Sequence, residues 1–228
     1  MGLALTTPFL AASAPASAVD VLLVLAVDVS GSVNQERFEL QKRGYAAAFR
    51  SPEVVQAIVS GPAAAIGVAM LQWTGPDMQV LVADWALLHD AASAARFATA
   101  LDAVPRQLFG GGTSISGALE RAMALLGTAP FSAARQVIDV SGDGANNRGA
   151  PVRQAHDKAV AAGIVINGLP ILTLEPQLDA YYRENVIGGP GAFVIAVAAD
   201  DQFALAIRRK LISEIAWQGD RSQVRHAG

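Results

Sequence analysis

Residues Val19–Val27 form an apolar run broken by one aspartate and ending in Asp28-Val-Ser-Gly-Ser. Its length and its valine and leucine content predict a strand buried on both faces. Asn34–Phe49 then carries Phe38, Tyr45 and Phe49 at near-helical spacing among charges, the mark of an amphipathic helix. Ala64–Trp73 and Met78–Leu87 are two strand-like runs, and Thr74-Gly-Pro-Asp between them is turn chemistry, so a hairpin is expected. Ala91–Val104 reads as a helix stopped by Pro105, and Gly110-Gly-Gly as a loop. Ser114–Leu126 places Ile115, Leu119, Ala122 and Leu126 on one helical face.

The second half repeats the alternation. Arg135–Ser141 reads as a strand entering Gly142-Asp-Gly, and Pro151–Ala162 as a helix with proline first, where no amide partner is lost. Gly163–Ile171 is a strand, Pro176–Val186 a helix, Ala192–Ala198 a strand and Asp200–Ile215 a helix with Asp200 as N-cap. Strands alternating with helices predict an α/β fold: a doubly wound, mostly parallel six-stranded sheet with one antiparallel edge strand and helices on both faces.

Composition narrows the classes. The chain has 228 residues, 52% of them hydrophobic, which suits one large domain with a sizeable core. A net charge of −3 gives no basic footprint for nucleic acid. Cysteine is absent, which excludes disulfides, thiolate catalysis and thiolate zinc sites. No run offers the length of apolar residues an integral membrane segment needs. Residues 1–18 differ from the rest: a moderately apolar Leu3–Ala12 precedes Ala16-Ser17-Ala18, a small-x-small pattern. That predicts a signal peptide cleaved after Ala18, or else a disordered tail, although a basic start is missing. The expected organisation is this leader, a domain over 19–217 and a polar tail over 218–228. The expected compartment is periplasmic or extracellular, with the cytoplasm as the alternative.

In an open α/β sheet, ligands sit at the carboxyl ends of the strands. Three oxygen-bearing groups fall there: Asp28, Ser30 and Ser32 after the first strand, Thr113 in the glycine loop, and Asp143 after the strand ending at Ser141. Two carboxylates and three hydroxyls are ligands for a hard cation. The alternative is that the hydroxyls only cap helices. Against it, Asp28 and Asp143 end two buried strands with no basic partner expected in their loops.

Asp28-Val-Ser-Gly-Ser, Gly112-Thr113-Ser-Ile and Ser141-Gly-Asp143-Gly resemble the three signatures of von Willebrand factor A-type domains. The likeness runs from Val19 to about Ala216, in a Rossmann-like order of elements, and is nearest to bacterial exported A-domain-like proteins of unknown function. The resemblance implies a metal-ion-dependent adhesion site in which Asp28, Ser30, Ser32, Thr113 and Asp143 hold Mg²⁺, with Mn²⁺ or Ca²⁺ as alternatives. It further implies a partner protein that presents a carboxylate to the metal, and no catalysis.

Rim candidates are Trp73, Asn146, Asn147 and Asn167. Trp73 is weighed against core packing, the loop asparagines against a plain Asx turn, and Asn167 as a bond to the site loops. Gly188–Gly191 joins a helix to the next strand and reads as a turn rather than a phosphate cradle. His89, His156 and His226 are scattered. Two other functions compete. A metal-dependent, phosphatase-like hydrolase would use Asp28, but Ser30 stands where a second aspartate is wanted, and Ser30 or Ser32 as nucleophile lacks a histidine base. A structural domain with an inactive metal site is the third.

Overall fold

A computed structural model describes residues 17–216. Its elements are β1 (Val21–Asp28), α1 (Gln35–Arg50), α2 (Pro52–Ile58), β2 (Ile66–Trp73), β3 (Gln79–Leu88), α3 (Ala91–Asp102), α4 (Ile115–Gly127), β4 (Arg135–Gly142), α5 (Val152–Ala161), β5 (Val165–Pro170), α6 (Leu178–Tyr181) and α7 (Phe203–Ile215). The sheet order is β3-β2-β1-β4-β5. All neighbours are parallel except β3, which returns antiparallel along β2 as the expected edge strand.

β1 lies at the centre and every residue of it is buried. Its alternation divides the core in two, because side chains in a strand face opposite ways in turn. Val21, Leu23, Leu25 and Val27 pack into one cluster with Tyr45 and Phe49 of α1 and Leu211 of α7. Leu22, Val24 and Ala26 pack into the other with Leu119 of α4 and Ala155 of α5. The edge strand β3 is half-buried, and its register with β2 shifts between Val68 and Leu71, an irregularity that discourages pairing with another chain.

The sixth strand is the main departure from the sequence-based expectation. Residues 193–197 run beside β5 but form only isolated bridges, Gly168 with Val194 and Ile171 with Val197. Four backbone bonds are made: Gly168 N–H to Phe193 O, Ile195 N–H to Gly168 O, Val197 N–H to Pro170 O and Leu172 N–H to Val197 O. The missing rung is the one Pro170 would donate, and proline has no N–H.

Other differences are local. α2 was not expected; Ser51 caps it and Pro52 opens it. The helix expected over Pro176–Val186 has one α-helical segment, Leu178–Tyr181, and continues as a π turn over Tyr182–Val186. Asp200 does not cap α7: it begins a short 3₁₀ turn, and its side chain makes no capping bond. Asn34 and Asp90 do cap α1 and α3, the second in a reciprocal pair with Ser93. The leader expected over residues 1–18 lies outside the described residues apart from Ser17 and Ala18, which pair with Phe131 and Ser132. The polar tail lies wholly outside them.

Candidate functional site

The loops after β1, before α4 and after β4 meet at the carboxyl end of the sheet. Asp28 is the last residue of β1 and is buried. Its Oδ1 accepts the Ser30 N–H at 2.7 Å, while its Oδ2 has no hydrogen-bond partner. Burial, above all, raises its pKa to about 7; the Ser30 N–H opposes that rise and the nearby Asp143 charge adds to it. Ser30 and Ser32 lie with their hydroxyl oxygens 3.1 Å apart, and the Ser32 hydroxyl donates to Asp143 Oδ1 at 2.6 Å. Thr113 joins them: a side chain at Gly144 would sit 3.7 Å from its Oγ1. The five residues singled out in the sequence therefore converge.

The structure adds residues that the sequence pattern did not reveal. Arg37, in the first turn of α1, sets its guanidinium 3.7 Å from Asp143 Oδ2. Arg106 donates to the carbonyls of Val29 and Ser30 at 2.8 and 2.9 Å, clamping the loop after β1. Tyr182, on the π turn, is buried with an unpartnered hydroxyl. A Cβ at Gly142 would lie 2.9 Å from that hydroxyl and 3.0 Å from Asp28 Oδ2, so only glycine fits between them. Arg37 and Arg106 come from outside the loops they steady. Their only sequence signal is a basic residue within a few positions of a candidate loop.

The rim candidates divide. Asn147 Oδ1 accepts the Thr113 N–H at 2.9 Å and Asn146 Oδ1 accepts the Ser116 N–H at 3.1 Å, so both tie the β4 loop to the threonine loop. Trp73 is wholly buried among Leu71, Ile115 and Leu119 and forms no part of a rim. Asn167 lies away from these loops and bonds Glu214 and the Phe193 N–H.

The Mg²⁺ site implied by the resemblance, and the metal-bridged adhesion built on it, are not supported. Among the described residues no group of three or more histidines, cysteines, aspartates or glutamates is placed to hold a metal ion. Asp143 already has partners. Asp143 takes a hydroxyl on one oxygen and faces a guanidinium on the other. Asp28 accepts the Ser30 N–H on one oxygen. Arg37, from α1 rather than from either loop, supplies positive charge where a dication would have to bring it. The donor set does not fit Mg²⁺, Mn²⁺ or Ca²⁺.

Catalytic parts are also missing from these loops. His89 neighbours Asp90 at the start of α3, and His156 bonds Asp157 and the Ile187 carbonyl. Neither is hydrogen-bonded to Ser30 or Ser32, so neither serine has a histidine base among the described residues.

Comparison with known proteins gives the following. Proximal thread matrix protein 1 from the mussel byssus, in a structure described as having a zinc-occupied MIDAS motif, is 20% identical with TM-score 0.61, over 86% of this chain and 46% of that one. The pilus adhesin SpaC from Lactobacillus rhamnosus GG is 15% identical with TM-score 0.63, over 88% of this chain and 31% of that one. The vWF domain of the type V pili tip protein Mfa5 from Porphyromonas gingivalis is 13% identical with TM-score 0.56, over 89% of this chain and 98% of that one. The chain thus spans less than half the length of the first two. At these identities the likeness is one of fold. No curated protein matches. A family model described as "Protein of unknown function (DUF1194)" matches residues 18–219.

Proposed function

The chain belongs to the DUF1194 family and has the von Willebrand factor A-like fold, and from that premise we propose that it is a non-catalytic protein-contact module whose strand-end loops are locked by its own side chains. The observation that carries this reading is the Ser32–Asp143–Arg37 arrangement, in which the Ser32 hydroxyl donates to one oxygen of the second aspartate and the Arg37 guanidinium forms an ion pair with the other. A loop cluster fixed in this way presents a preformed surface.

That surface offers apolar anchors. Phe109, on the glycine loop, is 64% exposed and lies against the Arg106 guanidinium at 4.7 Å. Leu174, on the loop after β5, is 53% exposed. Exposed large apolar side chains on rigid loops are the usual anchors of protein contacts. The structures it resembles include a matrix protein, a pilus adhesin and a pili tip protein, which accords with a contact role. No helix among the described residues is long and apolar enough to cross a membrane. Export to the periplasm or beyond belongs to the same proposal, on the strength of Ala16-Ser17-Ala18.

The test is affinity capture from the source cell, with Mg²⁺ or EDTA present, using wild type and the double variant Phe109→Ala/Leu174→Ala. A partner retained equally under both conditions and lost with the double variant is the expected result. A partner released by EDTA, or unaffected by the double variant, would overturn the reading.

A further inference from the structure

A second cluster of charges lies in the core, apart from the strand-end loops, and owes nothing to the contact function. Lys210 and Glu214 of α7 and Asp139 of β4 are 0%, 1% and 1% exposed. The Phe193 ring covers the ammonium, 5.7 Å from Nζ to its centroid. One cation thus faces two carboxyl groups in a dry site.

The two contacts of the ammonium differ in kind. Toward Glu214, Lys210 Nζ donates a hydrogen bond to Oε1, which also accepts from Asn167 Nδ2 at 3.0 Å. Toward Asp139, Nζ lies 2.7 Å from Oδ1, yet that oxygen has no hydrogen-bond partner. The nitrogen therefore approaches the Asp139 carboxyl off the hydrogen-bonding direction. A carbonyl C–O bond is about 1.2 Å long, which puts Asp139 Cγ within about 4 Å of the nitrogen. The Glu214 carboxyl also lies beside that of Asp139.

Protonation suits a reaction between these groups. Burial raises the Glu214 pKa to about 7, with the Asp139 charge reinforcing the rise and Lys210 and Asn167 opposing it. Burial raises Asp139 as well, with Lys210 opposing. Two carboxyls sharing one buried site resist double ionisation. With Asp139 as the neutral acid and Glu214 ionised on the ammonium, the three groups carry no net charge. That state sets an amine, a base and an electrophilic carbon side by side.

We propose that Lys210 and Asp139 join in an isopeptide bond that the folded chain forms by itself, with Glu214 carrying the protons. The ion-paired cluster is the state before the bond forms. Glu214 takes one proton from the Lys210 ammonium, and the free amine attacks Asp139 Cγ to make the C–N bond. A second proton passes from the nitrogen, by way of Glu214, to the Asp139 hydroxyl, whose C–O bond breaks and which leaves as water. The products are a secondary amide, one water and a protonated Glu214, so protons and charge balance with no co-reactant. Two effects favour the step. Groups held in contact react as if at concentrations on the order of 10⁵–10⁸ M. The amide also removes a buried ion pair whose desolvation is costly. Glu214 is not the acylated partner, because the hydrogen bond to its Oε1 aims a proton at it rather than the nitrogen lone pair. The bond ties the sheet to the last helix across residues 139–210, and it constrains the unfolded chain as a disulfide would in a protein that has no cysteine.

The experiment is intact mass spectrometry of the full chain after denaturation, followed by tryptic digestion. Wild type is expected one water lighter than its sequence, with a branched peptide joining residues 136–148 to residues 210–221 through Asp139 and Lys210. Lys210→Arg is expected at full mass. Asp139→Asn is expected to give the same branched peptide with loss of ammonia in place of water. Glu214→Gln, checked for folding by circular dichroism, is expected to stay at full mass through the same preparation. Folded wild type at full mass overturns the proposal and leaves an ion-paired cluster. Water loss without the branched peptide also overturns it, whether from a succinimide at Asp143-Gly144 or from a bond between Lys210 and Glu214 inside one peptide. The wild-type digest decides the matter alone should the variants not fold.

Discussion

Ser32 does more at the loop cluster than its size suggests. Its hydroxyl is the one short hydrogen bond to Asp143 Oδ1, and Arg37 reaches the other oxygen only at 3.7 Å. Ser32→Ala leaves that buried oxygen without its donor, at a cost of about 1–3 kcal/mol. Urea unfolding at pH 7 reads this directly, and a change below about 0.3 kcal/mol would show that the lock carries no load. Gly142 is constrained from the other side, because an added Cβ would come within 3.0 Å of both Tyr182 Oη and Asp28 Oδ2. Gly142→Ala must move a fully packed tyrosine and is expected to destabilise by about 1–3 kcal/mol. Gly163→Ala makes the useful comparison, since Gly163 has open space around it but a φ of +77°: its cost comes from the backbone alone.

At the level of elements, α7 and β4 are joined by charge as well as by apolar packing. The single Lys210 ammonium contacts two carboxylates, Asp139 and Glu214, and all three groups are buried. Lys210→Ala strands both and is expected to cost about 3–5 kcal/mol, read as a lowered urea midpoint. The pH dependence follows from Glu214. Its folded pKa of about 7 lies above the ordinary 4.5, so the folded chain holds a proton that the unfolded chain releases. That contribution to stability is full below pH 4.5 and is lost as the pH rises through 7. Asp28, raised to about 7 by its own burial, acts in the same direction. Thermal midpoints are therefore expected to fall between pH 5 and pH 8, and Glu214→Gln to flatten part of that slope. A midpoint that climbs over the same range would contradict the assignment. Lys210 and Glu214 were not singled out in the sequence. Asp139 was the missed signal, since a lone carboxylate inside the run Val137–Val140 demands a buried cation from somewhere else in the chain.

For the whole molecule, one sheet with an apolar layer on each face predicts a single cooperative unit. Its stability does not draw on a divalent cation in the present reading, because Arg37 supplies the positive charge at Asp143. EDTA and millimolar Mg²⁺ are both expected to leave the melting temperature unchanged within about 1 °C. A cation binding the folded state at a hundred times its Kd would add about 2.7 kcal/mol, which a scan cannot miss.

Much of this architecture was legible in the sequence, because it depends on local periodicity. β1 needed only its apolar run, the β2–β3 hairpin only Thr74-Gly-Pro-Asp, α1 the spacing of Phe38, Tyr45 and Phe49, and α3 the stop at Pro105. The convergence of Asp28, Ser30, Ser32, Thr113 and Asp143 was legible too, since parallel strands deliver their following loops to one end. What those residues do once together was decided by side chains arriving from elsewhere. Arg37 comes from a helix face, Arg106 from the loop after α3, and Tyr182 from a π turn that periodicity does not encode. The broken rung at Pro170 shows the same division. The proline is plain in the sequence, but the N–H it lacks matters only once the register places the chain near Ile195 opposite it. Local pattern fixes which way each side chain points along its own element. Only tertiary register sets the distance between charges on different elements, and at the loop cluster that distance separates a side-chain lock from a cation site.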